Sequence, residues 1–183
     1  HRPERVHPSE GHPTGVSQGG MSSERPDGHY ADLSWFPIVA QATFGHMRVE
    51  HADQARVVMR GGFARQQRVL WYFDARRATR VDALYRKQVA LYTDELESLG
   101  HKHSVCSVVV LDKAALRAAL TAINWISRPV IPVHVVATPF EAAGMLERAW
   151  LADGGELTPT LREGLSRMRS DSLVFSPVTV PPG

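Results

Sequence analysis

The densest group of chemistry-bearing side chains in the sequence is Asp74-Ala75-Arg76-Arg77-Ala78-Thr79-Arg80. It comes after an apolar run and precedes a helical pattern, so it is expected at the carboxyl end of a strand, leading into a helix N-terminus. Free backbone N–H groups and guanidinium groups at such a point can hold an anion. Asp74, Arg76, Arg77, Thr79 and Arg80 are therefore the candidate anion-binding residues. The competing reading is a solvated turn whose arginines pair with nearby carboxylates and contribute little. No glycine-rich phosphate loop accompanies the cluster.

Other reactive residue types are sparser. His101, His103 and Cys106 have side chains that bind zinc, but their spacing matches no recognised metal motif. Helix-terminal histidines and a buried core cysteine explain the same residues, so no metal and no cofactor is assigned. There is no Gly-x-Ser-x-Gly elbow and no His-Glu-x-x-His pair, and Cys106 sits in an apolar run that disfavours a thiolate. Asp74 and Asp112 each end a strand-like run and could converge as paired carboxylates, although strand-end aspartates more often cap the adjoining turn. The chain is read as a non-enzyme. Trp125, Ile126, Val130 and Ile131 surround a proline-broken connection and form a candidate docking patch, against the alternative that they pack in the core.

These residues need a scaffold, and composition bounds it. The chain has 183 residues, 43% hydrophobic and 22% charged, which suits one packed domain with flexible ends. A net charge of +2 gives no strong field for nucleic acid. One cysteine excludes an intrachain disulfide. No apolar run is long enough to cross a bilayer and no signal pattern opens the chain, so membrane insertion and export lack support and the cytoplasm is the default compartment.

Residues 1–33 are rich in proline, glycine and histidine and poor in aliphatic side chains, and are read as a disordered head. Met21-Ser22-Ser23-Glu24 looks like an ordinary start, which leaves open whether residues 1–20 are native. Beyond Trp35, β-branched and aromatic runs predict strands at Ile38–Phe44, Val69–Phe73, Val105–Leu111 and Val133–Ala137. Helical spacing fills the intervals at about residues 48–66, from Thr79 or Asp82 to Leu99, Lys113–Trp125 and from Pro139. Thr79 and Asp82 are spaced as a capping box, Thr138 can cap the last of these helices, and Gly61-Gly62 weakens the first. The alternation predicts an α/β domain over residues 34–153, with a small, mostly parallel sheet of four to five strands flanked by about four helices. Residues 154–183 are expected to be a C-terminal extension with one short helix, around Leu161, Leu165 and Met168, and a mobile tail.

Four stretches carry a family likeness: Tyr72-Phe73-Asp74-Ala75-Arg76, Val108-Val109-Val110-Leu111-Asp112, Leu116 to Trp125, and Val133-His134-Val135-Val136-Ala137-Thr138. Across roughly residues 36–152 the chain resembles the STAS/SEC14-like group of small bacterial domains, related to the sulfate-transporter and anti-sigma-factor-antagonist family. That resemblance implies a small sheet flanked by helices and signalling through protein contacts, sometimes with a lipid or nucleotide ligand, without catalysis by the domain itself. The antagonist proteins carry a phosphorylated residue in an Asp-Ser-Gly-type motif. Here the corresponding stretch is Thr79-Arg80-Val81-Asp82-Ala83-Leu84, without a Ser-Gly pair, which leaves Thr79 as a weak phosphorylation candidate.

Two functions are expected on these grounds. One is a signalling or scaffold domain that binds an unidentified protein, or a second copy of itself, through an exposed apolar patch. The other is a carrier or sensor for a lipid or anionic small molecule, which requires an interior pocket of roughly 300 Å³ or more beside the arginines.

Overall fold

The computed structural model describes residues 25–127 and 133–181, with the side chains of 96–101 and 122–127 outside the description. The chain is an α/β domain with a seven-stranded mixed sheet and five α-helices among the described residues. In chain order the elements are β1 (Gly28–Asp32), β2 (Ile38–Met47), α1 (Ala52–Phe63), β3 (Val69–Asp74), β4 (Ala78–Val81), α2 (Ala83–Gly100), β5 (Ser104–Val110), α3 (Ala114–Ser127), β6 (Val133–Val136), α4 (Pro139–Ala152), α5 (Pro159–Arg169) and β7 (Ser176–Pro177). The sheet runs β6-β5-β3-β2-β1-β7, with β4 paired to β2. It is larger than the four or five strands expected.

Strands β2, β3, β5 and β6 are parallel and lie in chain order across the sheet. Steady progression in one direction with crossovers of one hand puts the connecting helices α1, α2 and α3 on the same face. The opposite face is left for the elements C-terminal to β6, and α4 and α5 cover it. The pleat divides the strand residues accordingly. Ile38, Ala40, Leu70, Tyr72, Cys106, Val108 and Val110 pack with Ala142, Ala143 and Leu146 of α4 and Leu161, Leu165 and Met168 of α5. Their odd-numbered neighbours Val39, Val69 and Trp71 pack with Val58 of α1, while Val109 packs with Leu116 at the start of α3.

The structure departs from the expected boundaries at both ends. Gly28–Asp32, which composition places at the end of the disordered head, is an antiparallel strand on β2, in register His29 with Thr43 and Tyr30 with Ala42. Two of its side chains are polar by type but partnered: Asp32 accepts from the Trp35 indole N–H at 2.7 Å, and His29 meets Tyr85. At the other end, Leu161, Leu165 and Met168 are buried in the main core, so the packed unit extends past residue 153. A two-residue strand, β7, then pairs with β1.

A third difference lies between β3 and α2. Ala78–Val81 is strand β4, which takes up pairing with the end of β2 after a short interruption: Ala42 faces Asp74, and Gly45 faces Ala78. Thr79 is therefore a strand residue and not a helix cap, and the helix begins only after Asp82. The Asp82 carboxylate lies 2.8 Å from His46 Nε2. At α4 the expected cap is present, with Thr138 and Glu141 forming a reciprocal capping box ahead of Pro139. Among the described residues no helix is long and apolar enough to cross a membrane.

Candidate functional site

The Asp74–Arg80 loop begins where β3 ends. Asp74 is buried, and Arg76 folds back onto it through Nε at 3.0 Å and Nη2 at 2.7 Å, while the backbone N–H of Arg76 also donates to it at 3.0 Å. The same guanidinium reaches Asp171 beyond α5. Two carboxylates thus surround one cation and hold Arg76 well above its ordinary pKa, with the Asp74 hydrogen bond the larger cause. Asp171 is correspondingly held below the usual carboxylate range, chiefly by its hydrogen bonds from Arg76.

The other cations of the loop diverge. Arg77 lies over the Phe44 ring at 5.2 Å, a cation–π contact. Arg80 is exposed and lies 3.4 Å from Asp82. Thr79 is exposed on β4. The loop thus brings Asp74 and Arg76 together and leaves Arg77, Thr79 and Arg80 in separate surroundings. Its strand continuation also supplies no helix N-terminus at Thr79. Asp112, the second strand-end aspartate, is exposed, unlike Asp74.

Trp125 and Ile126 fall in α3, but their side chains lie outside the description, as do residues Val130 and Ile131 altogether. Cys106 is buried in β5, and burial pushes its thiol up. Among the described residues no group of three or more His, Cys, Asp or Glu side chains could hold a metal ion.

A different site emerges between the sheet and the helical layer of α1, α2 and α3. A cavity of about 200 Å³ is bounded by Gln41, Thr43, Trp71, Phe73, Ser107 and Val109 on the sheet. Ala55, Met59 and Phe63 line it from α1, Tyr85, Val89 and Thr93 from α2, and Leu116, Ala119 and Leu120 from α3. Ala75 and Ala78 of the loop reach its wall, whereas the loop arginines do not. The cavity is thus smaller than a carrier or sensor of a lipid or anion requires and is not flanked by guanidinium groups. None of its described lining side chains is an acid, a lysine or an arginine.

Besides Gln41, Thr43, Tyr85, Thr93 and Ser107, the lining includes the imidazole of His29. The ring is 2% exposed, stacked against Phe73 and Tyr85, with Nε2 2.5 Å from the Tyr85 hydroxyl. Its Nδ1 is buried without a hydrogen-bond partner, an uncommon state for a native polar atom. Burial lowers the imidazole pKa to about 3, with a smaller contribution from His51, and burial raises the Tyr85 phenol. Both groups therefore stay neutral across the ordinary pH range, which suits hydrogen bonding better than proton transfer near pH 7.

Sequence reasoning does not single out this pair. His29 falls in the stretch whose composition predicts disorder, and Tyr85 lies on α2 with no local pattern linking it to a residue so far away in the chain. No family model, curated protein or solved structure matches this chain.

Proposed function

We propose that this chain is a non-catalytic sensor or carrier domain that receives one small molecule in the cavity between the sheet and helices α1–α3. The observation that carries this reading is a largely apolar cavity of about 200 Å³ between the sheet and three helices, with no charged side chain among its described lining residues. An occupant would remove the apolar lining from water, which favours binding by about 25 cal/mol per Å² of apolar area buried. The neutral His29–Tyr85 pair supports binding over catalysis. The STAS/SEC14-like resemblance implies the same non-catalytic class. The cavity volume favours a one-ring molecule over a lipid.

The test is thermal unfolding with and without benzene, because apolar cavities of about 150 Å³ already admit that ring. At ten times its dissociation constant benzene is expected to add about 1.4 kcal/mol of stability. Ala55→Leu, which places a larger side chain in the cavity wall, is expected to lose that response while raising the ligand-free melting temperature. No response in the unsubstituted protein removes the reading.

The protein-contact reading draws on a different observation. Val135 on β6 and Phe140 on α4 are 44% and 63% exposed, and among the described residues β6 pairs only with β5. A free edge beside an apolar patch suits a second copy related by a twofold axis. Light scattering across concentrations is expected to show a dimer that Phe140→Lys abolishes; a monomer throughout removes this reading.

A further inference from the structure

This inference rests on the dimer reading above and names the faces that meet. Val135 and Val136 of β6 and Phe140, Gly144 and Met145 of α4 line a groove, and Glu141 and Arg148 stand along its helical wall. These two charged residues are about two helical turns apart, so they share one face of α4 with roughly 10 Å between them along the axis. Phe140, Gly144 and Leu151 also follow one another at helical spacing, and Phe140 and Leu151 are 63% and 49% exposed. The face is an apolar stripe with an acid toward one end and a base toward the other.

Among the described residues neither charge meets an opposite one. Glu147, the other charged residue of α4, pairs with Arg169. Arg148 has no carboxylate partner among the described residues, and Glu141 accepts through Oε2 from the backbone N–H groups of Ala137 and Thr138. The spacing makes the face complementary to itself. A twofold axis perpendicular to α4 and passing between residues 144 and 145 brings residue 141 of one copy opposite residue 148 of the other. Both cross-pairs are then Glu with Arg, Phe140 of each copy lies toward Leu151 of the other, and Gly144 beside the axis puts no Cβ between the backbones. A parallel copy would set like charge against like, which is costly. We infer that this face is a homodimer interface in which antiparallel α4 helices cross at Gly144 and Met145 and Glu141 of each copy pairs with Arg148 of the other.

The experiment measures the dimer dissociation constant of the full chain by light scattering at low salt, where exposed charges are least screened. Glu141→Lys and Arg148→Glu each make both cross-pairs repulsive, and each alone is expected to weaken the dimer by about tenfold or more. An equimolar mixture of the two variants again opposes unlike charges at both contacts, and is expected to return to the unsubstituted affinity. Glu141→Lys also disturbs the cap of α4, so melting curves establish that each variant is folded. Should that variant not fold, Arg148→Glu is compared with Arg148→Gln, and the acidic substitution is expected to weaken the dimer more.

The failures are separable. A dimer unchanged in both variants, a mixture that does not recover, or equal affinities for Arg148→Glu and Arg148→Gln removes this arrangement and leaves the dimer reading standing. An unsubstituted chain that is monomeric at every concentration removes both.

Discussion

Arg76 and Asp171 meet through two parallel hydrogen bonds, Nη2 to Oδ1 at 2.7 Å and Nη1 to Oδ2 at 2.9 Å. This bidentate pair ties the loop after β3 to the segment just beyond α5. Asp171 has a φ of +53° there, a left-handed conformation that Asp tolerates better than most residues. The other carboxylate on Arg76, Asp74, is buried, and this asymmetry gives the first prediction.

Arg76→Ala is expected to destabilise the fold by about 3 kcal/mol, because it leaves the buried Asp74 carboxylate without its cation. Asp171→Asn, at the half-exposed end of the same network, should cost less than about 1 kcal/mol. The contribution of Asp171, whose pKa is depressed when folded, is present above the ordinary aspartate pKa and is lost as pH falls through the folded value. Urea unfolding at neutral and acid pH measures both effects.

His29 gives a steeper acid dependence of the same sign. The folded pKa is about 3 against an ordinary 6.5, so between these values the unfolded chain binds a proton that the native state refuses. Stability is complete above pH 6.5 and is lost below it by about 1.4 kcal/mol per pH unit from this one group. Comparing the slope of unfolding free energy between about pH 6 and 4 for the unsubstituted chain and His29→Phe isolates it. Equal slopes would show that His29 is not buried in the neutral form.

The two adjacent glycines of α1 are expected to respond oppositely to alanine. A Cβ at Gly61 meets nothing within 4 Å, so Gly61→Ala should stabilise by about 0.5–1 kcal/mol through helix propensity alone. A Cβ at Gly62 would lie 2.5 Å from the Trp71 ring and 3.3 Å from Val39. Overpacking of that kind costs about 1–3 kcal/mol, so Gly62→Ala should lower the melting temperature despite the better helix former.

Thr138→Ala removes one half of a capping box in which the hydroxyl accepts from the Glu141 N–H at 3.2 Å and Glu141 Oε2 accepts from the Thr138 N–H at 3.2 Å. A loss of about 1 kcal/mol is expected, read by thermal unfolding. Thr138→Ser should retain most of it.

The physics behind these elements explains which of them are legible from sequence. Strands β3 and β5 are buried on both faces, so Val69–Phe73 and Val105–Leu111 read as continuous apolar runs. Thr138-Pro139 and Glu141 mark the start of α4 because capping is a local interaction. Strand β1 escapes a sequence reading because His29 is buried against Tyr85, far along the chain, and nothing in Gly28-His29-Tyr30-Ala31-Asp32 alternates in polarity. Strand β4 reads as a helix start because Thr79 and Asp82 fit a cap by spacing alone, whereas pairing with Gly45–Met47 of β2 decides the conformation. The arginine cluster is visible as residue types, but the neutralising partner Asp171 lies far along the chain. The cavity is not legible at all, since it is a property of how three helices stand off one sheet.

The order in which the sheet's two faces are covered has a consequence for synthesis. Ile38, Ala40, Leu70, Tyr72 and Val108 are translated well before Leu146, Leu161, Leu165 and Met168, which bury them. Until α5 has left the ribosome, one side of the growing sheet has no native cover, and its apolar stripe is open to chaperones or to neighbouring nascent chains. Helices α1 to α3 can dock on their face as they emerge, so the nascent domain would pass through a half-clad stage that ends only when α4 and α5 are free to pack.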